Sequence, residues 1–199
     1  MQSVAERILE HSRSLPEGAL ISAKELLYLG SRPAVDQSLK RLYERNELMR
    51  VGHGLYVAPV KTRFGTRAPA AEKVIEGLSA TRAETIVPHG AAAANMLGLT
   101  TQVPTKHVYL TSGPNRQFRL GAQIVEIKHA PQWMLLPTKP AAGQAVRALE
   151  WLGEQGAAEA LKALKRKLPE NTLQDLVALR PALPIWMSNS ISTALLANG

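Results

Sequence analysis

The chain has no cysteine among its 199 residues. Disulfides, thiolate metal ligands and cysteine nucleophiles are therefore excluded, which fits a reducing compartment. Long apolar runs are missing as well. None approaches the ~20 residues needed to span a bilayer, and the N-terminal segment reads as a charged amphipathic helix rather than a signal peptide. A soluble, cytoplasmic protein with no membrane partner is expected. Histidines are few and scattered, at His11, His53, His89, His107 and His129. None lies at i, i+4 spacing from another or beside a carboxylate cluster, so neither a metal nor a cofactor is expected. Acid is scarce: 16 Asp+Glu face 24 Lys+Arg, a net charge of +8, and no aspartate occurs between Asp36 and Asp175. A surplus of this sign points to an anionic partner and says nothing of fold.

The charge that is present is unevenly placed. Between Arg32 and Arg67 there are eight Lys/Arg and three Asp/Glu, a surplus of five in 36 residues, and the other 163 residues carry the remaining three. Within that segment, residues 31–58 read SRPAVDQSLKRLYERNELMRVGHGLYVA. Val35, Leu39 and Leu42 fall at i, i+4 and i+7, one face of a helix. Gln37, Lys40 and Arg41 then project from the opposite side, with Arg32 near the N-terminal tip. Ser31 is placed to cap this helix and Pro33 is tolerated in its first turn.

After the helix come Leu48-Met49-Arg50-Val51, Gly52-His53-Gly54 and Leu55-Tyr56-Val57-Ala58, read as strand, glycine turn and strand. The glycines flanking the turn allow positive φ. Arg50 and His53 sit on or beside this loop, followed by Lys61, Arg63 and Arg67. Upstream, Val4, Ile8 and Leu9 mark a helix over residues 3–14. Ser22 and Glu25 form a capping box ahead of a short second helix, residues 23–29, that stops at Gly30. A basic helix face is often merely solvated, and a hairpin can be a domain edge. The order helix, helix, turn, helix, hairpin within about sixty residues instead favours a winged helix-turn-helix, whose third helix enters a major groove while the wing touches the sugar-phosphate backbone. Arg32, Gln37, Lys40 and Arg41 are expected to read bases or fix register. Arg45, Arg50, His53, Lys61 and Arg63 are expected to hold phosphates.

Residues 61–69, rich in Arg, Pro and Gly, read as a linker between this module (1–60) and a second domain (70–199). In the second domain the pattern gives a helix at 70–80, a short strand at 84–87 and an alanine-rich helix at 89–97. Strands follow at 106–111, 117–120 and 123–128, then helices at 141–152, 157–168, 172–179 and 185–196. The whole is an α+β chain: an N-terminal winged helix, then a small mixed α/β domain with C-terminal helices.

The second domain carries Pro88-His89-Gly90-Ala91-Ala92-Ala93-Ala94, Gly98-Leu99-Thr100-Thr101-Gln102-Val103-Pro104 and Val108-Tyr109-Leu110-Thr111-Ser112-Gly113-Pro114-Asn115-Arg116. With the module before them, these segments resemble the AbiEi-type antitoxins of type IV toxin–antitoxin and abortive-infection systems, and related bacterial transcriptional regulators. The resemblance covers residues 1–135 well and the C-terminal helices only loosely. It implies a winged-helix repressor that binds inverted repeats in double-stranded DNA upstream of its own operon. It also implies a C-terminal domain engaged in antitoxin activity and cooperative DNA binding, and a functional pairing with a nucleotidyltransferase-like toxin. An antitoxin whose repression is secondary is the neighbouring alternative.

No enzymatic reading is as strong. Ser112-Gly113-Pro114-Asn115 is a turn and lacks the Lys-Ser/Thr ending of a phosphate loop. His89, at a helix start, is better read as a capping or packing residue. Glu126-Ile127-Lys128 puts an acid and a lysine on one side of a strand, as in metal-dependent nucleases, but such a site needs an upstream acid. Only Glu84 on a short strand, or Glu72 and Glu76 on a helix, are at hand. A cross-strand ion pair explains Glu126 and Lys128 more simply, and the protein is expected not to be an enzyme. Arg116, Arg119 and Lys128 extend a DNA surface, contact a partner protein or RNA, or are solvated, and the residues alone leave that open.

Overall fold

The structure is a computed structural model that describes residues 2–136 and 138–196. It is α+β, and the chain divides into two compact units. The first comprises Met1–Glu84 and Arg116–Glu126, the second Thr85–Asn115 and Ile127–Gly199.

The first unit opens with α1 (Val4–Ser14), where Ser3 and Glu6 form a reciprocal capping box: the Glu6 N–H donates to Ser3 Oγ at 3.3 Å and the Ser3 N–H to Glu6 Oε2 at 2.7 Å. A strand that the sequence pattern does not announce, β1 (Leu20–Ser22), comes next. Ser22 and Glu25 do exchange the expected hydrogen bonds, at 3.2 and 3.3 Å. They close a turn rather than a helix, and only Leu27–Leu29 form one 3-10 turn. Here Leu26 and Leu29 are drawn into the core. The long helix α2 (Arg32–Glu44) follows, then β2 (Met49–Gly52) and β3 (Leu55–Val57). Val35, Leu39 and Leu42 are buried as the periodicity requires, packed with Ile8, Ile21, Leu48 and Tyr56. The three strands form an antiparallel sheet in the order β1-β3-β2.

Much of the linker read at 61–69 is a second hairpin, β4 (Val60–Thr62) and β5 (Gly65–Arg67). Its base is fastened to the turn that follows α1. Arg67 donates to both oxygens of Glu17, at 2.8 and 3.1 Å, and the Ala70 N–H donates to Glu17 at 2.8 Å. The Arg67 hydrogen bond, followed by that of Ala70, holds the Glu17 carboxyl below its usual range. Helix α3 (Ala71–Arg82) closes on the same module. Gly18, at φ 80°, leaves no room for a side chain against it: an added Cβ would lie 2.5 Å from the Lys73 carbonyl carbon. The domain boundary read at residues 60–70 therefore does not match the compact units, because this hairpin and α3 pack with the N-terminal module.

The second unit begins with β6 (Ile86–Pro88), α4 (Gly90–Met96) and β7 (His107–Thr111), with β6 and β7 antiparallel. The first unit then takes up β8 (Arg116–Leu120) and the start of β9 (Gln123–His129). The end of β9 belongs to the second unit, as do α5 (Gln132–Leu135), α6 (Pro140–Lys167), α7 (Glu170–Ala178) and α8 (Ile185–Leu195). Gly153, at φ 72° and ψ 175°, breaks α6 into the two helices expected from the pattern. Helices α6, α7 and α8 share a core of Leu149, Leu161, Leu164, Leu176, Met187 and Ile191. His89 caps α4, its Nδ1 accepting the Ala91 N–H at 3.3 Å. Burial, then Lys128, pushes the His89 imidazole below its ordinary value. Arg147 is 4% exposed, donates to the Met134 carbonyl at 3.0 Å, and is pushed down to about 10 by burial. No helix among the described residues is long and apolar enough to cross a membrane.

Candidate nucleic-acid interface

Helix α2 is held by one stripe and bare on the other. Val35, Ser38, Leu39 and Leu42 are buried, while Gln37, Lys40 and Arg41 are exposed on the far side. Ser31 occupies the N-cap position but makes no side-chain cap hydrogen bond, contrary to the expected cap. Two cations of this helix carry an acid one turn on. Arg32 Nε donates to Asp36 Oδ2 at 2.9 Å, and Lys40 lies 3.7 Å from Glu44. Arg41 and Arg45 make no ion pair among the described residues.

The wing forms as the sequence suggests, with one change of role. Gly54 takes φ 66°, whereas Gly52 does not enter the left-handed region; it sits at an irregularity in the pairing of β2 with β3. Arg50 is exposed and donates from Nε to the Gly52 carbonyl at 3.2 Å, and His53 stands exposed at the turn.

Between the first half of α2 and the wing lies a groove of about 440 Å³, lined by Lys24, Arg32, Asp36, Arg50 and His53 among others. Three expected contact residues thus meet at one place: Arg32, Arg50 and His53. Lys24 is the residue the sequence reading missed. The register of β1 on β3 sets Ser22 opposite Leu55, beside the wing turn, so the exposed turn after Ser22 carries Lys24 to the groove. Only the strand pairing places it there, and a three-residue strand leaves little trace in a sequence.

Gln37, Lys40 and Arg41 form the neighbouring outward face of α2. Arg45 is the C-cap residue of that helix, past its last turn. Lys61 and Arg63 stand apart from the groove. Strand β3 runs away from the wing turn, from Leu55 opposite Gly52 to Val57 opposite Met49, so the hairpin that follows leaves from the other end of the sheet. At its tip the Arg63 guanidinium stacks 4.6 Å from the Phe64 ring, which is 86% exposed. Among the described residues no group of three or more His, Asp or Glu could hold a metal ion.

This surface can grip a polyanion and present donors to base edges. A helix offers Gln37 and Arg41 outward, and a wing with adjoining turn offers Lys24, Arg50 and His53. The fold is similar to the crystal structure of the RV2827C protein from Mycobacterium tuberculosis, with a TM-score of 0.57 at 16% identity, over 98% of this chain and 77% of that one. No curated protein matches the chain. A family model does match, over residues 7–175, and the chain belongs to that family, DUF6088, a family of unknown function.

Proposed function

We propose that this protein is a sequence-specific DNA-binding transcriptional regulator. The observation that carries the reading is the joint exposure of the α2 outer face and a basic groove beside the wing, on a helix-and-wing module whose core holds both in place. Arg41 and Gln37 read base edges, with Arg32 at the entrance. Lys24, Arg50 and His53 hold phosphates. The resemblance to AbiEi-type antitoxins supports the narrower form: a cytoplasmic autorepressor on inverted repeats upstream of its own operon, and an antitoxin to a nucleotidyltransferase-like toxin. Nuclease chemistry is no part of this reading. Glu84, the acid such a site would recruit, is held by Arg116 at 2.6 Å.

The test is binding to the DNA just upstream of the gene against scrambled DNA of equal length, at low and physiological salt. A preference of at least about a hundredfold that survives salt is expected. Equal, salt-sensitive binding to both would leave only a basic surface. Rescue of growth when the chain is co-expressed with a neighbouring nucleotidyltransferase-like gene tests the antitoxin form.

A further inference from the structure

We propose that the DNA surface extends past the wing to a second groove, where Arg119 in the groove and Arg82 beside the wing strand hold the phosphate backbone of the same duplex. This rests on the DNA-binding reading above and adds residues outside the helix-and-wing module. The first unit contains, on the other side of β2, a groove of about 490 Å³ lined by Arg50, His53, Tyr43, Gln117 and Arg119 among others, with no Asp or Glu among its lining residues. Arg50 and His53 line both this groove and the one beside α2, so the two grooves adjoin at the wing.

Strand β8 explains which arginine arrives. Phe118 and Leu120 are buried, and the alternation of a strand turns Gln117 and Arg119 outward. Arg116 falls on the inward-facing set and pairs with Glu84 at 2.6 Å, both side chains about 15% exposed. The two arginines, alike in sequence, therefore have different work. From the end of α3 comes another cation: Arg82 Nη2 lies 3.5 Å from where a Cβ on Gly52 would stand, against the wing strand itself. Arg50, His53, Arg82 and Arg119 thus gather along one strand. The three arginines repel one another; the phosphates of a duplex offset that repulsion, and binding releases the duplex's condensed counterions. A polyanion with regularly spaced phosphates fits a surface that runs from Lys24 across the wing to Arg119.

The experiment measures affinity of the full chain for the upstream duplex and for scrambled duplex, from 50 to 200 mM salt, in wild type, Arg119→Gln, Arg82→Gln and Arg119→Lys. One phosphate contact contributes a slope of about −0.9, so losing it shrinks the affinity drop over this range by about 3.5-fold. That reduction is expected for Arg119→Gln and Arg82→Gln on both DNAs, with Arg119→Lys keeping the wild-type slope. Arg166→Gln, a cation of the second unit, should leave the slope unchanged. Unchanged slopes in both glutamine variants, while wild type still prefers the upstream duplex, would overturn this inference alone. No duplex binding by wild type would overturn the regulator reading and this inference together.

Discussion

The sharpest consequence of the interface lies in an acid rather than a base. Asp36 sits on the exposed flank of α2 and takes the Arg32 Nε hydrogen bond at 2.9 Å, with both side chains more than half exposed. In the free protein the pair is worth little, about 0.3–0.5 kcal/mol for an exposed i, i+4 pair. On DNA the same carboxylate is a liability. A charge about 7 Å from a phosphate in water costs about 0.6 kcal/mol, and screening at physiological salt removes roughly half of that. Asp36→Asn also releases Arg32 for a phosphate or base of its own. We therefore expect the substitution to tighten DNA binding about three- to tenfold at 50 mM salt and less at 200 mM. The melting temperature should fall by no more than a few degrees, in line with a loss below about 1 kcal/mol. Fluorescence anisotropy with labelled upstream and scrambled duplexes reads the effect, and both should gain, since phosphate repulsion is blind to sequence. Weaker binding by Asp36→Asn would refute the reasoning. It would mean that the carboxylate positions Arg32, or itself accepts a hydrogen bond from a cytosine amine.

Three further outcomes are expected. Arg41→Ala should cost about 1–3 kcal/mol on the upstream duplex if it makes a bidentate base contact, and much less on scrambled DNA, whereas Arg50→Ala should weaken both equally; equal losses from both variants on both DNAs would contradict that division. Gly18→Ala should destabilise the first unit by about 2–4 kcal/mol, from the left-handed backbone it forbids and the overlap with Lys73, and a urea midpoint unmoved from wild type would show that α3 is not packed there. His89, held below its ordinary value chiefly by burial, is favoured in its neutral form. Its stabilising contribution is whole above about pH 6.5 and is lost as pH falls through the lowered value, so melting temperatures at pH 8 and pH 5 should differ less in His89→Asn than in wild type.

Much of this protein is legible in its residues one element at a time. The i, i+4, i+7 spacing of Val35, Leu39 and Leu42 fixed the buried face of α2 and hence the exposure of Gln37, Lys40 and Arg41. The glycine turn between apolar runs announced the wing, alternation announced β9, and the four C-terminal helices follow from their apolar spacing, since each pattern repeats within its own element. What escaped are features that exist only through pairing. Strand β1 is three residues whose partner lies more than thirty residues on, and without it Lys24 has no reason to be near the wing. The 60–67 hairpin looked like a linker because its side chains are almost all exposed, so no apolar period marks it; the Glu17–Arg67 contact that fastens it spans fifty residues. Sequence charge could not tell Arg116 from Arg119. One residue's step along β8 reverses the face a side chain takes, and the tertiary structure alone decided that Arg116 turns in to Glu84 and Arg119 out to the groove.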